Sequence, residues 1–390
     1  MRRALLLSGS LGAGHEVHAR AVACSLAGRG WSTEVLDAMR LLGPRGGSAG
    51  EAVFRGMLAV PGLYDAFHFA ALRPGSQLAL LADAAARRQL VPRLRDYLDA
   101  HPADLAISVF ATASSAVSVL ADRYPGMSHV VLCSDVTPHR LWVHPNVDLY
   151  LVTSPAAEAA VRRYGPRARV QVIPPPVRPG FLDPPAQDRA RMGLGLEVAD
   201  RTVLLMSGAW GLGPLAQAAT ALADAGVQVL AVAGRNARLE NRLRAIAAGR
   251  PRLHVFGYTD QIPVLMAAAD LVITSSGDTC AEARAVGRPL LLLDVVQGHG
   301  RDNLQHELDL GDAAVTSARP AEMVRTTLAA LDRVKPPSGA TGGPNWEDAL
   351  AAALEQLGLG ATWPGAGRRA VSPGVPAVCR WPTSRSPRSS

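Results

Sequence analysis

Residues 203–214 read Val-Leu-Leu-Met-Ser-Gly-Ala-Trp-Gly-Leu-Gly-Pro: a short apolar run, a glycine-rich turn, and a proline where a helix should begin. Four apolar residues bounded by turn residues have the length of a buried strand. Pro214 suits the first helical position, where a missing N–H is tolerated. Residues 4–15, Ala-Leu-Leu-Leu-Ser-Gly-Ser-Leu-Gly-Ala-Gly-His, follow the same scheme near the N-terminus. Each stretch opens a series in which apolar runs alternate with helical patterns. The first series places strands at 4–8, 34–36, 105–109, 129–133, 149–152 and 170–173. The second places them at 203–206, 228–233, 253–256, 271–274, 290–293 and 313–315. Such alternation predicts parallel sheets covered on both faces, hence an α/β chain of two doubly wound, Rossmann-like domains.

The Pro-rich stretch Pro174-Pro175-Pro176-Val177-Arg178-Pro179 divides them. The expected organisation is a first domain over 1–176, a second over 177–335, a helix within 346–360 crossing back to the first, and a disordered basic tail over 361–390. Residues 40–73 fit neither period and read as an apolar, arginine-studded insertion.

Composition agrees with two cores and limits the partners. The 390 residues are 48% hydrophobic, enough for two domains and too apolar for global disorder. Net charge is +7, but the tail holds five arginines and no acid, which leaves +2 for the rest. The body is nearly neutral, which argues against nucleic-acid binding. The four cysteines, Cys24, Cys133, Cys280 and Cys379, are far apart with no C-x-x-C, which excludes the usual zinc spacings and suits a reducing cytosol. No signal peptide and no uninterrupted apolar run of membrane-spanning length is visible. A cytoplasmic protein, peripheral on the inner face of the cell membrane, is the expectation.

The chemistry concentrates where strands meet helices. Gly9, Gly12 and Gly14 precede His15 after the first strand. Glycines there admit a close ligand and the helix N-terminus attracts anions. The loop is neither a Walker loop nor a full G-x-G-x-x-G. His15 is a candidate general base, against the plainer reading of a helix-capping histidine. Asp135, His139 and Trp142 follow the fourth strand, where open α/β sheets place ligands. Their plainer readings are a loop cap, a surface histidine and a core tryptophan. In the second domain Gly208, Gly211 and Gly213 form the corresponding loop, and the two loops suggest a ligand between the domains. Ser275-Ser276-Gly277-Asp278-Thr279-Cys280-Ala281-Glu282 opens a later helix whose N–H groups suit a diphosphate. Glu282 is placed for ribose hydroxyls; alternatively Thr279 and Glu282 form a capping box.

Taken together, these segments resemble the two-domain sugar-nucleotide glycosyltransferases of the GT-B type, glycosyltransferase family 28-like. Within them the chain is most similar to the monogalactosyldiacylglycerol synthases and processive diacylglycerol glucosyltransferases. The resemblance runs over roughly residues 4–358 and includes 135–148, Gly234-Arg235-Asn236 and Phe256-Gly257-Tyr258-Thr259-Asp260. It implies inverting transfer of a hexose from a UDP-sugar, as substrate and without a metal or cofactor, to a lipid or hydrophobic acceptor such as diacylglycerol. It implies catalytic roles for His15 and Asp135 and acceptor binding by Gly12, Gly14, His139 and Trp142. It implies donor binding by Gly208, Gly211, Gly213, Arg235, Asn236, Tyr258, Gly277, Thr279, Glu282 and Asn303. The sequence departs from the family at His299 and Gly300, where Gln and Glu are usual near the sugar. Glucose, galactose and N-acetylglucosamine all remain as donors. The 40–73 insertion is read as a surface for an anionic membrane or as plain core cover. The rival functions are a natural-product glycosyltransferase, a sugar-nucleotide epimerase of the same fold, and a non-catalytic nucleotide-sugar binder.

Overall fold

A computed structural model describes residues 1–9, 14–41, 77–208, 211, 213–295, 299–333, 345–360 and 377–379. Most of the 40–73 insertion and of the 361–390 tail, together with Gly12, therefore lies outside the described residues. The chain divides into two compact units, one formed by Met1–Arg178 with Gly343–Arg380, the other centred on Pro179–Gly342.

The first unit is built on β1 (Arg3–Ser8), β2 (Ser32–Asp37), β3 (Leu105–Ser108), β4 (Ser128–Cys133), β5 (Leu149–Val152) and β6 (Val170–Val172). They form one parallel sheet in the order β2-β1-β3-β4-β5-β6. β1, β3, β4 and β5 are predominantly apolar because they are buried almost throughout, as strands covered on both faces must be. The helix Gln77–Ala100 buries Leu90, Leu94 and Leu98 one turn apart. They join Leu5, Leu7, Ala106, Phe110 and Val117 in one core cluster. The helix Trp346–Glu355 belongs to this unit: Asn345 Oδ1 accepts the N–H of Glu347 at 3.0 Å, and Trp346, Leu350 and Leu354 are buried.

The second unit repeats the plan with β7 (Thr202–Met206), β8 (Gln228–Val232), β9 (Leu253–Phe256), β10 (Leu271–Ser275), β11 (Leu290–Leu293) and β12 (Ala313–Thr316). Their order is β12-β11-β10-β7-β8-β9, again all parallel. All twelve predicted strands are present, and the α/β, doubly wound fold class holds. The helix after β7 starts at Leu215, with Pro214 at the N-cap, one residue before the position expected of it.

One cysteine finding differs from the sequence reading. Cys24 is disulfide-bonded to Cys379 across 355 residues, while Cys133 and Cys280 are free and buried. Cysteine spacing gave no sign of this, because only the fold brings the short turn Ala377–Cys379 to the helix Gly14–Ala27. Among the described residues no helix is long and apolar enough to cross a membrane.

Candidate functional site

In both sheets the strand order reverses beside the first strand: between β1 and β3, and between β7 and β10. Loops leaving the two strands there diverge to opposite sides and open a crevice at their carboxyl ends. The candidate residues gather at these two points.

At the first, Gly9 lies against Phe110: a Cβ at Gly9 would come 2.6 Å from the ring. The chain then enters the helix Gly14–Ala27, with His15 in its first turn. The His15 ring meets Phe110 edge-on at 5.5 Å and Trp142 at 6.2 Å. His139 lies 6.4 Å from the same indole. Trp142 is 1% exposed, and its Nε1 donates to Asp135 Oδ2 at 2.6 Å. His139 caps the 3₁₀ turn Arg140–Trp142, and the Trp142 N–H returns to the His139 carbonyl at 3.0 Å. A 3₁₀ turn repeats every three residues, so His139 and Trp142 fall on one side of it. The structure thus brings His15, Asp135 and His139 around the buried indole of Trp142, with Gly14 at the helix start. Trp142 is the core residue of its plainer reading and a ligand of Asp135 at once. Phe110, which sequence reasoning missed, completes the cluster; its signal was its place where the chain passes from β3 to the helix Ala111–Leu120.

Not every histidine here is of this kind. His129, at the start of β4, is buried, and desolvation pushes its pKa down to about 3. Its ring contacts Ser108 Oγ at 3.1 Å and the Asn146 carbonyl at 3.3 Å, so it is a neutral core histidine. Burial also pushes the Cys133 thiol well above its ordinary range, which makes it inert.

The second crevice is made of backbone. Ser207 Oγ donates to Ser275 Oγ at 3.2 Å, tying the ends of β7 and β10. Gly208, Gly211 and Gly213 adopt φ of 59°, 58° and 87°, values that favour glycine. At Gly211 a Cβ would also stand 2.8 Å from the Ala233 carbonyl oxygen and from Leu239 Cδ2. Asn236 serves as N-cap, its Oδ1 accepting the Leu239 N–H at 3.0 Å. Arg235 stacks its guanidinium 4.7 Å over the Tyr258 ring. Gly277, at φ 156°, is the N-cap of the helix Asp278–Ala285, and Thr279 and Glu282 are buried on it. Because the cap is Gly277, Thr279 lies inside the helix and the capping-box reading of Thr279 and Glu282 fails.

Asn303 sits in the helix His299–Asp309, an element that the apolar periodicity of the sequence does not announce. That helix is joined to the helix Asp278–Ala285 by charge. Arg284 Nη1 lies 2.6 Å from Glu307 Oε2, and its Nε and Nη2 donate to the Asp312 carboxylate at 2.6 and 2.7 Å. Burial raises the Glu307 pKa against the pull of Arg284, whereas the Arg284 hydrogen bonds hold Asp312 low. Burial, with the Glu307 charge nearby, pushes the Cys280 thiol up to about 12. Among the described residues no group of three or more His, Cys, Asp or Glu side chains converges to hold a metal ion.

With this geometry in hand, two family models match. That of monogalactosyldiacylglycerol synthase matches residues 28–177, and that of the glycosyltransferase family 28 C-terminal domain matches residues 212–316. The chain is 31% identical over 201 residues to monogalactosyldiacylglycerol synthase 2 of Arabidopsis thaliana, covering 48% of this chain and 42% of that protein. It is 28% identical over 249 residues to processive diacylglycerol beta-glucosyltransferase of Bacillus subtilis, covering 61% and 63%. It spans 35% of the length of a probable monogalactosyldiacylglycerol synthase of Glycine max and 49% of that of the processive diacylglycerol beta-glucosyltransferase of Bacillus pumilus. Among solved structures, Acinetobacter baumannii MurG aligns over 91% of this chain and all of its own, with a TM-score of 0.56 and 15% identity. Arabidopsis thaliana UGT89C1, complexed with UDP-L-rhamnose, aligns over 91% of this chain and 95% of its own, with a TM-score of 0.59 and 15% identity. A UDP-GlcNAc 2-epimerase from Neisseria meningitidis aligns with a TM-score of 0.56, 10% identity, and coverage of 91% and 100%. These structures establish the fold, which is GT-B, and the resemblance read from the sequence motifs stands.

Proposed function

We propose, for a chain whose first part matches monogalactosyldiacylglycerol synthase and whose second part matches the family 28 C-terminal domain, inverting transfer of a hexose from a UDP-sugar to a lipid hydroxyl of the diacylglycerol type. The observation that carries this reading is the gathering of His15, Asp135 and His139 around Trp142 at the switch point of the first sheet. An ordinary imidazole titrates near neutrality, which suits a base for a hydroxyl. In the proposed step His15 takes the acceptor proton as the hydroxyl oxygen bonds to the anomeric carbon. The bond from that carbon to the diphosphate oxygen breaks, and UDP leaves with the electron pair. Asp135, fixed in direction by the Trp142 N–H, orients the acceptor hydroxyl or the imidazole.

The donor half rests on the second crevice. The first-turn N–H groups behind Gly277 and the helix dipole hold the growing diphosphate charge, so the step is written without a metal. Glu282 accepts from the ribose, Arg235 and Tyr258 border the base, the three loop glycines let the backbone approach the phosphates, and Asn303 faces the sugar. A lipid acceptor requires contact with a bilayer, and we assign that contact to the 40–73 insertion from its sequence. Vesicle flotation with its apolar residues replaced by Ser checks the assignment; unchanged flotation defeats it.

The test of the function is UDP release from UDP-glucose, UDP-galactose and UDP-N-acetylglucosamine, each with and without diacylglycerol vesicles. Release that depends on diacylglycerol is the expected result and names the donor. UDP binding without release in any combination, or epimerised donor without acceptor product, overturns it.

A further inference from the structure

We propose that Arg284 is a positioning residue for the donor sugar: it sets the helix that carries Asn303 against the helix that carries Thr279 and Glu282. This rests on the function proposed above.

The geometry is specific. Arg284 closes the helix Asp278–Ala285, and each nitrogen of its guanidinium lies against one of two acids from two other places. One is Glu307, on the helix His299–Asp309; the other is Asp312, just before β12. Both helices follow strands of the same parallel sheet, so they run in the same direction. Arg284 beside Glu307 therefore sets their register. One turn earlier, on the same face of each helix, lie Cys280 before Arg284 and Asn303 before Glu307. The influence of the Glu307 charge on the Cys280 thiol agrees with that alignment.

The chemistry explains why charges do this. An ion pair with Glu307, whose side chain is 11% exposed, contributes little net stability, because desolvation offsets most of the attraction. The two-pronged grip on Asp312 instead fixes the plane of the guanidinium and so directs its remaining Nη1 at Glu307, which an apolar contact does not do. Asn303 is four residues before Glu307, so turning Glu307 toward Arg284 also fixes the side on which Asn303 projects. The nucleotide end, at Gly277, Thr279 and Glu282, lies on the first helix and does not depend on that register. The sugar end does.

The experiment separates the two ends. UDP affinity is measured by calorimetry, and kcat and KM are measured for UDP-glucose and UDP-galactose, for the wild-type protein, R284M, R284K and E307Q. R284M is expected to raise the donor KM about tenfold and to reduce the preference between the two epimers to near unity, with UDP affinity changed less than about twofold. R284K, which keeps charge but loses the fork, should recover only part. E307Q changes one charge without changing shape and reads the same coupling should R284M fail to fold. Unchanged donor preference in folded R284M, or in E307Q, overturns the positioning role while the proposed function stands. A fall in UDP affinity equal to the rise in KM also overturns it, because the arginine would then serve the nucleotide. A wild-type protein that neither binds UDP nor releases it overturns the function and this inference together.

Discussion

The two switch points share a topology and differ in material. The first is furnished with side chains, two histidines and a carboxylate set around a buried indole. The second is furnished with backbone, glycines at positive φ and a helix start behind Gly277. A proton must be moved at the first, and only side chains titrate in the required range. A diphosphate must be held at the second, and converging N–H groups do so without competing for the proton. One fold thus serves two chemistries by exchanging what fills the same crevice.

The sharpest way to break this contrast is His15→Ala. Turnover should fall about 10²- to 10⁴-fold with UDP affinity unchanged. Near-normal UDP release from H15A would remove the first site from the chemistry. Next, the second site should be fragile to added atoms and not to lost ones. Gly208 and Gly211 have nearly the same φ, but a Cβ at Gly208 meets nothing within 4 Å whereas one at Gly211 meets the Ala233 carbonyl. G211A should cost about 3 kcal/mol and G208A about 1, read from denaturant midpoints. Equal losses would mean that conformation alone, without close packing, makes glycine necessary there.

His129 sharpens the first site by exclusion. Its folded pKa of about 3 lies below the ordinary imidazole value, so the native state refuses a proton that the unfolded chain accepts. Its effect is absent above about pH 6.5 and destabilises increasingly as pH falls from there toward 3. Between pH 7 and 5 the loss should be about 2 kcal/mol, and H129Q should lack it; the same slope in both proteins would reject the assignment. The smallest effect is Trp142→Phe, which keeps a ring but withdraws the donor to Asp135. Turnover should fall about tenfold with little change in KM, since only the carboxylate's direction is lost.

Much of this was legible in the sequence, for a physical reason. Strands buried on both faces have to be apolar throughout, so runs such as Leu290–Leu293 announce themselves. Glycines that turn a strand into a helix are equally visible, and so the two crevices could be located from residues 4–15 and 203–214. What stayed hidden depends on contacts made across the chain. Arg284, Glu307 and Asp312 look like solvated surface charges until the fold brings them together. The helix His299–Asp309 carries few apolar residues, so no apolar face marks it in the sequence. Phe110 and the Trp142 N–H acquire meaning only beside His15 and Asp135.

The Cys24–Cys379 bond has a consequence of its own. It makes the stretch from Cys24 to Cys379 a covalent ring that takes in Pro179–Gly342 of the second unit. A protease that cuts once anywhere between those cysteines opens the ring without dividing it. The nicked protein would migrate as one species on a denaturing gel without reductant and as two with it. The oxidation state of Cys24 and Cys379 can thus be read from how the chain breaks.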